Sequence, residues 1–111
     1  MTPINQDWLV RLEIIVASRL KDPAFSVAKL AIAMNISHTQ LFRKMKKELG
    51  QPPSDYIREK RLLAAKTLLE KGRTGSVKAT ATAVGLRDVE HFSRLFKGRF
   101  GCLPSSYISG N

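Results

Sequence analysis

Arg43, Lys44, Lys46 and Lys47 lie within five consecutive residues, and Arg94 and Lys97 repeat Arg43 and Lys46 fifty-one positions later. Guanidinium and ammonium groups clustered in this way act on polyanions. An arginine can donate two hydrogen bonds to O6 and N7 of guanine, and lysines neutralise phosphates. Neighbouring residue types extend the same chemistry: Gln40 can pair with adenine, and Thr39 and Phe42 can pack on a thymine methyl. The charge of the whole chain agrees. Nineteen Lys and Arg against nine Asp and Glu leave a net +10 on 111 residues, a surplus that attracts nucleic acid or anionic lipid.

Other chemistries lack a comparable constellation. His38 and His91 are isolated, no Cys–His or His–carboxylate spacing matches a metal site, and there is no glycine-rich phosphate loop. Cys102 is the one cysteine; it cannot close an internal disulfide, which fits a reducing compartment, and a small buried hydrophobe is its expected role. Neither an enzyme nor a cofactor is expected. No apolar run reaches the roughly 20 residues of a bilayer span, and the N-terminus has no signal-peptide pattern. The expectation is a soluble, cytoplasmic chain with no membrane insertion.

The elements that must hold these residues come in two copies. Arg43, Lys46, Gly50, Pro53, Ser54, Tyr56 and Ile57 return as Arg94, Lys97, Gly101, Pro104, Ser105, Tyr107 and Ile108, at an offset of fifty-one. Upstream, Ser26, Val27, Ala31 and Ala33 return as Ser76, Val77, Ala81 and Ala83 at an offset of fifty, so the second copy holds one extra residue between its two blocks. Two copies are too few for a solenoid; a bilobal module presenting one feature twice fits better. The length is one domain's worth, and 43% hydrophobic with 7% aromatic residues suits small helical packing.

Helical periodicity runs through the chain. Trp8, Leu9, Leu12, Ile15, Val16 and Leu20 predict a helix from residue 4 to about 20, stopping before Asp22-Pro23. Ser26 is placed to cap a short helix with Val27, Leu30, Ala31 and Met34 inward, and Asn35 to end it with a left-handed backbone. Ser37 and Gln40 form a capping-box pattern opening a helix with Leu41, Met45 and Leu49 inward, stopped by Gly50. Two short helices around a tight turn are the layout of a helix-turn-helix. Pro53 to Lys71 reads as a rod of roughly 28 Å with Ile57, Leu62, Ala65, Leu68 and Leu69 on one side. Gly72 and Gly75 release it into a loop. The second copy then gives a helix over 76–84 of modest propensity, a Gly85 turn, Asp88 as N-cap, a helix to about Phe100, and a short closing helix from Pro104 to Ile108. The expected organisation is a single all-α domain over 1–111, with subdomains at about 4–50 and 76–109 and a linker helix at about 53–71.

With Leu41 and Met45 inward, Thr39, Arg43, Lys46 and Lys47 face out, with Gln40 and Phe42 flanking. With Phe92 and Phe96 inward, Glu90, Ser93, Arg94 and Lys97 face out, beside Val89 and His91. Phe42 suits a partly buried core aromatic and a base contact equally. Glu90 can accept from cytosine and can equally restrain Arg94 at i+4, so a mixed role is expected.

The run from Gly85-Leu86 through His91-Phe92-Ser93-Arg94-Leu95-Phe96-Lys97 to Gly101, Pro104 and Tyr107 resembles the signature of the AraC/XylS family of bacterial transcription regulators. Ser37 to Lys46 with Gly50, Pro53, Tyr56 and Ile57 resembles its first half. The resemblance implies seven helices, two helix-turn-helix subdomains bridged by a long helix, and two recognition helices in successive major grooves of double-stranded DNA. It implies base contacts from Thr39, Phe42 and Arg43 and from Val89, Glu90, Ser93 and Arg94. With His38, Gln40, Lys46, Lys47 and Lys97 these make the full expected DNA-binding set. Leu86, Thr80, Ala79 and Ile108 depart from the family pattern and predict a slightly weakened second subdomain. Thr80 in particular puts a hydroxyl near the core unless it bonds back to its own helix.

Function follows as an expectation: DNA-directed transcription regulation, with RNA polymerase and a sensor or regulatory domain outside this chain as further partners. The Arg43 to Lys47 texture also resembles the output domains of hybrid two-component regulators. The alternative is a basic helical module that binds an acidic protein or an anionic membrane surface. Matched compact helix-turn-helix units disfavour it, because lipid binding requires none. RNA is disfavoured because its deep, narrow major groove excludes helices.

Overall fold

The computed structural model describes residues 3–108. Six α-helices follow in order: α1 (Pro3–Arg19), α2 (Val27–Ala33), α3 (His38–Leu49), α4 (Pro53–Glu70), α5 (Val77–Ala83) and α6 (Val89–Phe100). A 3-10 turn spans Pro104–Tyr107, where a short helix to Ile108 was expected. Among the described residues there is no strand. The expected all-α class, with about seven helical elements, is the observed one. Residue 109, the expected limit of the second subdomain, lies outside the described residues.

Local chemistry accounts for the helix ends. Ser26 Oγ accepts from the Lys29 amide at 3.3 Å, Ser76 Oγ from the Ala79 amide at 2.9 Å, and Asp88 Oδ1 from the His91 amide at 3.0 Å. Each satisfies one of the donors a helix start leaves open, a contribution of about 1 kcal/mol. Gly50 and Gly101 end α3 and α6 at φ 73° and 85°, their amides bonded to the carbonyls of Lys46 and Lys97. A side chain would resist that left-handed backbone.

The chain divides into two compact units. The first takes in residues 24–60 together with α1, and its core joins Leu12 and Val16 of α1 to Phe25, Leu30, Ala31 and Met34, to Leu41 and Met45 of α3, and to Tyr56 and Ile57 of α4. The Tyr56 hydroxyl is sealed in this core with no hydrogen-bond partner among the described residues. Burial, and then the nearby Glu13 charge, push its pKa up to about 12.

The second unit comprises residues 21–23 and the described residues from Arg61 onward. Its core joins Leu62, Ala65 and Leu69 of α4 to Ala81, Val84, Phe92 and Phe96. Phe96 stands at the centre of an aromatic group, with edge-on partners Phe92 and Tyr107 at 5.8 Å and Phe100 at 4.7 Å. Arg61, only 8% exposed, donates from Nη2 to the Asp22 carbonyl at 2.9 Å.

Two expectations change here. Ile57 does not share an apolar face with Leu62, Ala65 and Leu69: it belongs to the first core and they to the second. A pattern search at 3.6-residue period cannot tell one long stripe from two short ones that meet in one helix. The helix also ends at Glu70, one residue before Lys71. The weak propensity of α5 is overcome by the Ser76 cap and by Thr80, fully buried, whose Oγ1 donates back to the Ser76 carbonyl at 2.8 Å and also meets the Thr74 hydroxyl. The hydroxyl is thereby satisfied inside the core.

Candidate nucleic-acid interface

In the first unit α3 is fixed from both sides. Ser37 Oγ accepts from the Gln40 amide at 3.1 Å, and Gln40 Oε1 accepts from the Ser37 amide at 3.0 Å, completing the capping box. Leu41 and Met45 are fully buried against the core. These anchors set the rotation of the helix, so His38, Thr39, Gln40, Phe42, Arg43, Lys46 and Lys47 all stand exposed on it. Phe42 is 45% exposed, so part of its ring is covered and part is open to solvent. Gln40 is altered by its cap: the carboxamide oxygen is engaged with its own helix, leaving the NH2 group free to donate. A two-bond form of the expected pairing with adenine would require the box to open.

The second unit places α6 in the same manner. Asp88 caps it, Phe92 and Phe96 are fully buried, and Glu90, Arg94 and Lys97 are exposed. Val89 and Ser93 are half-buried, with Val89 packed against the second core. Val89 therefore offers a methyl edge rather than a whole side chain. No ion pair joins Glu90 to Arg94 among the described residues, so the expected i+4 restraint is not formed and both groups remain available outward.

Each face ends in cations. Lys46 and Lys47 lie in the last turn of α3 and Lys97 and Arg99 in the last turn of α6, where the helix dipole favours positive charge. Lys44 breaks from its basic neighbours: its Nζ rests over the Trp8 ring, 5.1 Å from the centroid. That contact reaches from α3 back to α1, and no local pattern in the sequence announces it. Buried Arg61 was missed for the same reason. Arg87 was overlooked although the extra residue in the second copy marked its place.

Clefts among the described residues include two that are too small for an ordinary small-molecule site of about 300–1,000 Å3. One of about 170 Å3 is bounded by Glu13, Val16, Ala17, Leu20 and Lys60, and one of about 150 Å3 includes Lys21 and Arg87. Among the described residues no group of three His, Cys, Asp or Glu could hold a metal ion. No helix among them is long and apolar enough to cross a membrane.

The profile of the helix-turn-helix domain family matches residues 30–110. The transcriptional regulator GbdR of Pseudomonas aeruginosa is 32% identical over 110 residues, covering 99% of this chain and 29% of that protein. Across the first curated relatives the chain spans only 8% to 29% of their length. A transcriptional regulator with an AraC-type DNA-binding domain from Chromobacterium violaceum superposes with a TM-score of 0.84 at 27% identity, covering 97% of this chain and 95% of that one. The DNA-binding domain of AdpA, solved in complex with a target DNA, superposes with a TM-score of 0.77 at 26% identity over 89% of this chain and 90% of that one.

Proposed function

The chain belongs to the AraC-type family of helix-turn-helix domains, and from that premise we propose that it binds double-stranded DNA sequence-specifically to regulate transcription, α3 and α6 each reading a major groove. One observation carries the proposal: two independently capped helices, each held by two fully buried apolar anchors, present an arginine at the same position of the same face.

Arg43 and Arg94 donate to guanine, Thr39, Phe42 and the edge of Val89 pack on thymine methyls, and Glu90 accepts from cytosine. Ser93 and the free NH2 of Gln40 supply single hydrogen bonds to base edges. Lys46, Lys47 and Lys97 neutralise phosphates and His38 hydrogen-bonds to one, fixing register without reading sequence. In this proposal the two helices read successive major grooves, about 34 Å apart. In this proposal the signal arrives from a sensor or regulatory domain outside the chain, RNA polymerase is the downstream partner, and the setting is cytoplasmic.

Selection from random duplexes tests it, with anionic vesicles as a parallel arm. The expected result is an asymmetric site with two separate half-motifs and no comparable affinity for vesicles. In the selected site, Arg43→Ala costs about 1–3 kcal/mol and relaxes preference at one base pair, while Lys47→Ala weakens all sequences alike and flattens the salt slope by about one. Vesicle binding without duplex binding would return the chain to the membrane-surface alternative.

A further inference from the structure

We propose that Lys21 and Arg87 form a phosphate clamp beside the leading end of α6, a contact with no counterpart in the first unit; it rests on the DNA-binding proposal above and adds to it a pair of backbone-positioning residues.

The duplication itself isolates Arg87. The α2–α3 and α5–α6 turns share their geometry up to Ile36 and Leu86: Asn35 and Gly85 adopt φ 65° and 82°, and the Ile36 and Leu86 amides bond to the carbonyls of Ala31 and Ala81 at 3.1 and 2.9 Å. Ser37 then caps α3 at once, whereas the second copy inserts Arg87 before its cap, Asp88. Arg87 is exposed and shares a cleft of about 150 Å3 with Lys21, Pro23, Thr82, Gly85 and Leu86. Neither Lys21 nor Arg87 pairs with a carboxylate among the described residues.

Three physical circumstances point this cleft at a phosphate. First, when a helix-turn-helix docks, the second helix enters the groove while the first crosses the backbone, so the turn between them lies along a row of phosphates. Second, α6 begins with two carboxylates, the Asp88 cap and exposed Glu90, whereas α3 has a serine cap and no acid in its first turn. An acidic helix start approaching DNA meets like charge, and two unpaired cations beside it reverse the local sign. Third, the segment that carries Lys21 is held in place. Buried Arg61 holds the Asp22 carbonyl at 2.9 Å, fixing that segment in the same unit as α6. The apolar side chains of Pro23 and Leu86 on its lining suit a deoxyribose next to the phosphate.

The experiment compares Lys21→Gln, Arg87→Gln and the double variant with the unaltered chain on one selected duplex, titrated across a range of salt. Both residues are exposed, and circular dichroism checks that the fold is retained. The slope of log K against log salt is expected to flatten by about one per residue and about two in the double variant, with base preference unchanged. Replacing single phosphates by neutral methylphosphonates should identify one position that weakens the unaltered chain and leaves the double variant indifferent. An unchanged slope, a loss confined to one base pair, or no such position overturns the clamp. Absence of any duplex affinity in the unaltered chain at low salt would overturn the DNA-binding proposal itself, and it would be seen before any variant is compared.

Discussion

Leu30 of α2 and Thr80 of α5 hold the same place in the two repeats, and both are fully buried. One is an aliphatic wedge; the other is a hydroxyl bonded back to its own helix. Across from them the sizes reverse: α3 offers Leu41 and Met45, and α6 offers Phe92 and Phe96. The first core thus sets larger side chains on its first helix, and the second sets smaller ones there against phenylalanines. One backbone plan tolerates either filling as long as the facing volumes are complementary. The outward faces are free of that constraint, which is why Arg43 and Arg94 can repeat while the interiors beneath them diverge.

If the second unit depends on its phenylalanines, Phe96→Ala should produce the largest loss of stability, about 3–5 kcal/mol. Denaturant unfolding measures it, and Cys102, packed on the same core, should react faster with a thiol reagent. Met45→Ala, the counterpart in the first unit, should cost about 2–5 kcal/mol and leave the Cys102 rate alone. Faster labelling in the Met45 variant would break the division into two cores.

The next effect concerns recognition. Arg94→Ala should match Arg43→Ala, each costing about 1–3 kcal/mol at a single base pair of a different half-motif, read on a panel of base-substituted duplexes. An even loss on every duplex in one variant alone would make the two arginines unlike in role despite their matching positions.

A smaller difference lies in the caps. Gln40 and His91 are equivalent in the repeat, yet only the Gln40 side chain closes a capping box. Gln40→Ala should lower stability by about 0.5–1 kcal/mol in thermal melts, while His91→Ala should stay within about 0.5 kcal/mol of the parent. Equal effects would show that the box adds nothing to α3.

The smallest contrast is between Tyr56 and Tyr107. The Tyr56 hydroxyl is buried without a partner, whereas that of Tyr107 meets Cys102 Sγ at 3.9 Å. Tyr56→Phe should therefore be neutral or stabilising by up to about 1 kcal/mol near neutral pH. Its pKa is raised to about 12 in the fold, above an unfolded value of about 10. Folding therefore costs no phenolate penalty below a pH of about 10, and the penalty grows, lowering stability, as pH climbs toward 12. Melts across that window should fall less steeply in the phenylalanine variant; an identical fall would assign the alkaline loss to other groups.

Much of this was legible in the sequence because it is local. Ser26, Ser37, Ser76 and Asp88 announce helix starts, Gly50 and Gly101 announce stops, and Leu41, Met45, Phe92 and Phe96 fix which way each helix is turned. From the turning followed the exposure of Arg43, Lys46, Lys47, Arg94 and Lys97. What escaped depends on residues far apart in the chain: Arg61 on the Asp22 carbonyl, Lys44 on Trp8, and the burial of the Tyr56 hydroxyl. The split of α4 between two cores escaped for another reason, since both halves are helical and apolar and only their partners differ. Gln40 shows the limit inside a correct pattern, because the capping role read from its spacing removes the acceptor that its base-reading role required.

The seat of Lys44 above Trp8 has a practical consequence. The indole is the chain's one tryptophan, and an ammonium lies against its face on the helix that carries Arg43. Whatever draws Lys44 away, or changes the charge around it, alters the emission of that ring. The first unit therefore carries an intrinsic optical probe, by which engagement of α3 can be timed in solution without attaching a dye.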